Sequence, residues 1–292
     1  MNAENMNIDL KEHFSVTRKK RSQEYLSGLK SIIQEYVDTV SVSSDPKLIF
    51  VAGQPGSGKT ALIKRVQKDY PDETFVIVDI DNYRLYHPDF NEVKNHKRDF
   101  IIYTNSFLFD IEEDVLLDAF QKRKNVIYVG TLRDTDFVCN FIIKNARKNN
   151  YHIGVYLLAV PLIVSLLSAV ERYEEQIKSN ASVIHFIDAD FHHAANQGLE
   201  RTISCLQSDF LVDFFKLCLR GKTKEILPEV INCSSDIIQS LYNTRNSISL
   251  DKENILARLK IIESTQKTRD ICEKEADTLK TLFYLFENIF NA

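Results

Sequence analysis

Gly53-Gln54-Pro55-Gly56-Ser57-Gly58-Lys59-Thr60 is the stretch whose reading decides the fold. It has the G-x-x-x-x-G-K-T spacing of a phosphate-binding loop. Ahead of it stands Leu48-Ile49-Phe50-Val51-Ala52, a short unbroken apolar run of the kind a buried parallel strand requires. Behind it, Ala61-Leu62-Ile63-Lys64-Arg65-Val66-Gln67 gathers good helix formers with apolar residues on one side. Strand, loop and helix are the context in which such a motif is meaningful. Gly53, Gly56 and Gly58 let the backbone turn sharply and aim its N–H groups at phosphate oxygens. Lys59 reaches the β- and γ-phosphates, the Thr60 hydroxyl holds Mg²⁺, and the first helical turn adds its positive dipole end. All of Gly53 to Thr60 is therefore assigned to a nucleoside triphosphate, and Thr60 also to the metal.

A chain of 292 residues, 44% hydrophobic, is long enough for one large domain with an appendage, or for two domains. The net charge of -4 argues against a strong nucleic-acid field. The basic cluster Arg18-Lys19-Lys20-Arg21 reads as a solvated helix face. Cys139, Cys205, Cys218, Cys233 and Cys272 are scattered, with no C-x-x-C pair, and read as reduced thiols. Met1 to Ser15 is polar and acidic, unlike a signal peptide. The longest apolar stretch, Tyr156 to Leu167, is interrupted by Pro161 and is too short to span a bilayer. The expectation is a cytoplasmic protein with neither a membrane nor a nucleic-acid partner.

Along the chain, residues 1–47 read as a helical segment, with Tyr25, Leu29, Ile32, Ile33 and Tyr36 at helical spacing. Residues 48–222 alternate predicted strands (Leu48–Ala52, Phe75–Val78, Asn125–Val129, Ile153–Ala159) with helical patterns at 61–69, 91–122, 135–149 and 162–178. The less regular 179–222 also reads as helix. Beyond Thr223 no strand is expected, and 223–292 reads as a helical extension that packs on the sheet or forms a hairpin. The fold class is α/β: a P-loop NTPase-like parallel sheet with flanking helices.

A phosphate loop does not say where the phosphate goes. Ligands of such sheets sit beyond the carboxyl ends of the strands. There the second strand reads Val76-Ile77-Val78-Asp79-Ile80-Asp81-Asn82-Tyr83-Arg84. Asp79 and Asp81 either face the γ-phosphate, orienting an attacking hydroxyl, or are solvated turn residues. His87 before Pro88 marks a fixed turn.

The set G-Q-P-G-S-G-K-T, V-D-I-D-N-Y-R-L-Y-H-P-D-F, V-G-T-L-R-D and A-V-E-R-Y-E resembles the zeta toxins, P-loop kinases of bacterial type II toxin–antitoxin systems. The likeness runs from about Leu48 to Arg201. It implies a kinase that uses ATP or GTP and Mg²⁺ to phosphorylate the 3′-hydroxyl of the amino sugar in UDP-N-acetylglucosamine, with an antitoxin as protein partner. It makes Lys59 the phosphate lysine, Asp81 the base for the sugar hydroxyl, and Arg172 the cation on the transferring phosphoryl group. It implies substrate contacts for Glu113, Thr131 and Arg133.

Surface ion pairs are the alternative for the arginines: Arg172 with Glu171 or Glu175, and Arg133 with Asp134 or Asp136. Two departures stand out. The family's E-G-T motif is here Val129-Gly130-Thr131, and His185 stands where a further arginine is usual, while His192 matches a family histidine. Three readings follow: a nucleotide-sugar kinase, a P-loop kinase with another small-molecule acceptor, or a catalytically weak nucleotide-binding interaction module.

Overall fold

The computed structural model describes residues 10–96, 99–221, 223, 226–231 and 233–291. Residues 1–9 of the polar start lie outside this set. The described strands are β1 (Lys47–Ala52), β2 (Val76–Val78), β3 (Val126–Gly130), β4 (His152–Ala159), β5 (Phe214–Leu219) and β6 (Glu229–Ile231). They form one sheet in the order β2-β3-β1-β4-β5-β6. Neighbours run parallel except for the antiparallel β5–β6 pair.

The alternation of side chains along β1 explains the layers. Leu48, Phe50 and Ala52 point to one face, where the Phe100–Gln121 helix and the N-terminal Ser22–Ile32 helix supply Leu108, Ile111, Val115, Tyr25 and Ile32. Ile49 and Val51 point to the other face, under Leu62 and Val66 of the Lys59–Asp69 helix. Both faces of β1 are thus covered, which is why its sequence is apolar throughout rather than alternating. β1 is central, with β3 on one side and β4 on the other. The chain direction across the sheet therefore reverses there, and the loop leaving its carboxyl end opens onto the crevice that such a reversal creates.

Two expectations are corrected. Helix was expected throughout 179–222, but Phe214–Leu219 is the strand β5, paired along β4. No strand was expected after 223, but Glu229–Ile231 closes the sheet as β6. Short apolar runs do not distinguish strand from helix by period alone. Phe214-Phe215-Lys216-Leu217-Cys218-Leu219 is such a run, and the exposed edge of β4 decides it. The Gly154 hydrogen is part of that decision, because a Cβ there would lie 2.0 Å from the Phe214 ring.

After the sheet come the Ile237–Ser247, Lys252–Gln266 and Glu273–Phe290 helices. The last two form a hairpin that packs Ile255, Leu259, Ile262, Leu282 and Phe286 onto Ile163, Leu166, Leu167 and Val170 of the Leu162–Lys178 helix. Arg269 fastens this layer by pairing with Glu174 and Glu275, each at 2.7 Å. Among the described residues no helix is long and apolar enough to cross a membrane.

Candidate active site

The phosphate loop is held in shape by its glycines. Gly56 adopts φ 75°, and a Cβ there would lie 2.0 Å from the Ser165 carbonyl oxygen. Gly58 adopts φ 102° and starts the Lys59–Asp69 helix. Neither conformation suits a side chain. The Lys59 and Thr60 N–H groups at the start of that helix have no carbonyl behind them within the helix, while the Ala61 N–H donates to the Gly58 carbonyl at 3.0 Å. Ser57 Oγ is buried without a hydrogen-bond partner among the described residues. Lys59 Nζ folds back to donate to the carbonyls of Gly53 at 2.9 Å and Gln54 at 3.3 Å. Burial lowers the Lys59 ammonium to about 8. Asp79 and Asp81 oppose that shift, and Arg172 reinforces it. Thr60 is exposed at the mouth of the loop. A concave run of main-chain donors, an orphaned hydroxyl and a recessed ammonium fit a polyphosphate, and the Thr60 hydroxyl fits a Mg²⁺ beside it.

The carboxyl end of β2 supplies the opposite wall. Asp79 caps the short Ile80–Tyr83 helix by accepting from the Asp81 N–H at 3.3 Å. Asp81 accepts from Arg84 Nε at 3.0 Å, and its other oxygen lies 3.8 Å from His185 Nδ1. Arg84 is itself buried and bonded to Ile101 O and Asn105 Oδ1, each at 3.2 Å, and to Thr104 Oγ1. Asp81 is thereby fixed to the Phe100–Gln121 helix while its side chain stays 48% exposed. Burial by itself would raise the Asp81 carboxyl, but His185, Arg84 and Arg172 outweigh it and hold it below the usual range. Asp79 moves the other way, raised by burial and by the charge of Asp81. Lys59, Asp79, Asp81 and Arg172 thus share one electrostatic neighbourhood.

The remaining candidates divide. Arg172 is exposed on the Leu162–Lys178 helix, and its neighbour Glu171 is taken by Arg258 at 2.6 Å. Thr131 lies just past the end of β3, half-buried. Arg133 instead lies 4.6 Å from the centre of the Phe191 ring and lines an open cleft of about 430 Å³ with Asp134, Thr135, Ala194 and Arg201. Glu113 points away, paired to Arg18 at 2.8 Å. Val129 is buried in the apolar layer beside Ile127 and Val51, so no carboxylate issues from that position. His185 is lowered by burial despite Asp81, so at neutral pH it carries no full charge. His87 is buried against the Phe14 carbonyl oxygen at 3.0 Å, a structural role.

Several residues around the site went unread in the sequence. Glu112, beside Glu113, is buried and accepts from the Tyr128 hydroxyl at 2.7 Å. Burial raises it to about 7, and Glu113, Asp81 and Asp79 push the same way. Arg220, at the end of β5, donates to the Gly56 carbonyl and to Ser168 Oγ, each at 3.1 Å. Gln54, already assigned to the loop, is buried and held by Val160, Ser165 and Arg245, partners that the motif does not name. These contacts join residues far apart in sequence, so no local motif announces them.

The sequence model of one family, zeta toxin, matches residues 33–230. "Toxin zeta" of Enterococcus hirae is 26% identical over 197 residues, 67% of this chain and 68% of that protein. "Toxin zeta" of Streptococcus agalactiae is 28% identical over 180 residues, 61% of this chain and 62% of that protein. "Toxin PezT" of Streptococcus pneumoniae serotype 4 is 31% identical over 134 residues, 46% of this chain and 52% of that protein. A solved structure of the PezAT chromosomal toxin–antitoxin system of S. pneumoniae has the same fold, with a TM-score of 0.67 at 22% identity, covering 84% of this chain and 96% of that one.

Proposed function

The chain belongs to the zeta toxin family, and from that premise we propose that its crevice transfers the γ-phosphoryl group of ATP or GTP to an alcohol on a nucleotide-activated sugar of the UDP-N-acetylglucosamine type. As a toxin it would be held in check by an antitoxin protein. One observation carries this reading: the Lys59 ammonium is recessed in the phosphate loop on the Gly53 and Gln54 carbonyls, and the Asp81 carboxylate, held by Arg84 at 3.0 Å, is near enough to act on its charge.

The residues suit the chemistry. Phosphoryl transfer through a loose transition state needs positioning and charge stabilisation more than a strong base. Asp81, held ionised by Arg84 and Arg172, is a weak base in the ground state. Its use is to accept the hydrogen bond of the incoming hydroxyl and take the proton late. Lys59 would exchange its two carbonyl partners for phosphate oxygens, which restore its full charge. Arg172, on an exposed helix face, would close over the equatorial oxygens. The Thr60 hydroxyl would hold a Mg²⁺, which would supply neutralisation of the charge developing on the leaving group. Thr131, just past the end of β3, would orient the acceptor, and Arg133 would do so only for an acceptor long enough to reach its neighbouring cleft.

A second reading is favoured by Val129 and by the Glu113–Arg18 pair. Two acceptor-side carboxylates that the family resemblance implies are missing or turned elsewhere, which points to slower transfer or a different alcohol. Incubation with ATP, Mg²⁺ and UDP-N-acetylglucosamine, followed by mass spectrometry, separates the two. A singly phosphorylated sugar nucleotide supports the first reading. Its absence, with nucleotide binding intact and a product found in a screen of other alcohols, supports the second.

A further inference from the structure

The phosphate loop is anchored from beyond the stretch that the zeta toxin family model covers. That stretch ends at residue 230. Arg245 lies past it, on the Ile237–Ser247 helix, and is 8% exposed. Its guanidinium is the hub of a buried polar network. Nη2 donates to Gln54 Oε1 at 3.1 Å and to Asn196 Oδ1 at 2.9 Å, and Nη1 donates to Glu200 Oε1 at 2.8 Å. Glu200 also accepts from Asn196 Nδ2 and, through its other oxygen, from the Tyr242 hydroxyl.

The far end of the network is the loop. Gln54 Nε2 donates to the Val160 carbonyl at 2.7 Å and to Ser165 Oγ at 3.2 Å. With Arg245 on its oxygen, the Gln54 amide is held at both ends. Its main-chain carbonyl in turn accepts from the Ser57 N–H at 3.1 Å and from Lys59 Nζ at 3.3 Å. Rotation of Gln54 would therefore move the donors that a phosphate must meet. Ser165 Oγ is also within 3.0 Å of the buried His192 Nε2, so a further helix is tied to the same cluster.

We propose that Arg245 is a positioning residue for nucleotide binding: it fixes the phosphate loop through Gln54, so that the C-terminal helices form part of the triphosphate site. The proposal rests on the assignment of Gly53 to Thr60 to a nucleotide. The physical reason for an arginine is its planar fork, which serves Glu200 and Gln54 at once. A lysine keeps the charge opposite Glu200 but offers one ammonium where two nitrogens are needed.

The test is a double-mutant cycle on the full chain, read by calorimetric titration with a non-hydrolysable ATP analogue and Mg²⁺. Urea unfolding of each variant runs alongside. Arg245→Lys is expected to bind the analogue about tenfold more weakly while remaining folded. Gln54→Met is expected to weaken binding similarly, and the double variant to bind no more weakly than Gln54→Met alone, within about twofold. Tyr242→Phe, which removes only a rim contact to Glu200, keeps the fork intact and is expected to leave affinity within about twofold. The proposal is overturned if Arg245→Lys binds as the wild type does, or if the two losses multiply in the double variant. A wild-type chain that takes up no analogue removes the nucleotide assignment and this proposal together, a result plainly different from a bound analogue indifferent to residue 245.

Discussion

The two walls of the crevice are built to different standards. On the nucleotide side every element agrees. The loop motif is complete, Gly53 and Gly56 occupy positions where a side chain would collide, and Arg220, Ser165 and Arg245 brace it from three other parts of the chain. On the acceptor side the parts disagree. Asp79, Asp81 and Glu112 crowd together, Val129 faces the core, and Glu113 is paired elsewhere. Phosphate recognition asks for one geometry from main-chain atoms, which tolerates little change. Acceptor recognition asks for side chains whose identity follows the alcohol. On the proposed reading, the departures from the family pattern gather on the acceptor wall and leave the phosphate loop intact.

The contrast can be broken first at Lys59. Lys59→Met is expected to lower phosphoryl transfer roughly 10³-fold, because a cation on the transferring oxygens is lost. Initial rates of ADP release with an accepted alcohol measure it, and a drop of only a few-fold would mean that the nucleotide wall matters less than its construction implies. The acceptor wall is sharpened by Glu112. Its carboxyl is raised from 4.5 to about 7 in the folded chain. Across that window the folded state holds more protons than the unfolded one, so stability falls as pH rises. Urea unfolding between pH 5 and 8 should show the wild type losing on the order of 3 kcal/mol that Glu112→Gln does not lose. Equal slopes would contradict the crowding. The smallest effect is a proton count. With Lys59 near 8, titration of Mg²⁺ and an ATP analogue at pH 8 should take up about half a proton. Calorimetry in buffers of different ionisation heat reads this directly. Uptake that persists unchanged in Lys59→Met would place the titrating group elsewhere.

The same contrast describes what could be read from the sequence. The phosphate loop was legible because its chemistry is contiguous, and the four parallel strands from Leu48 to Ala159 because each is a compact apolar run. Asp81 was legible as a carboxylate at a strand end. The braces were not: Gln54 and Arg245 meet only because the sheet and the later helices bring them together. Glu112 and Glu113 show the limit of counting along a chain. One residue on a helix turns about 100°, enough to send one carboxylate to the buried Tyr128 hydroxyl and the other to Arg18. β5 was missed because its apolar run has no period of its own, and its partner, β4, supplies the decision.

The central claim is that a triphosphate gripped around Lys59 is presented to an alcohol oriented by Asp81. Asp81→Ala, assayed for nucleotide affinity and for product on the same sample, tests it most directly. Affinity for Mg²⁺-ATP is expected to stay within about threefold of wild type while the transfer rate falls by roughly 10³-fold or more. Transfer at a near-normal rate, or a loss of activity explained wholly by a loss of nucleotide binding, would contradict it.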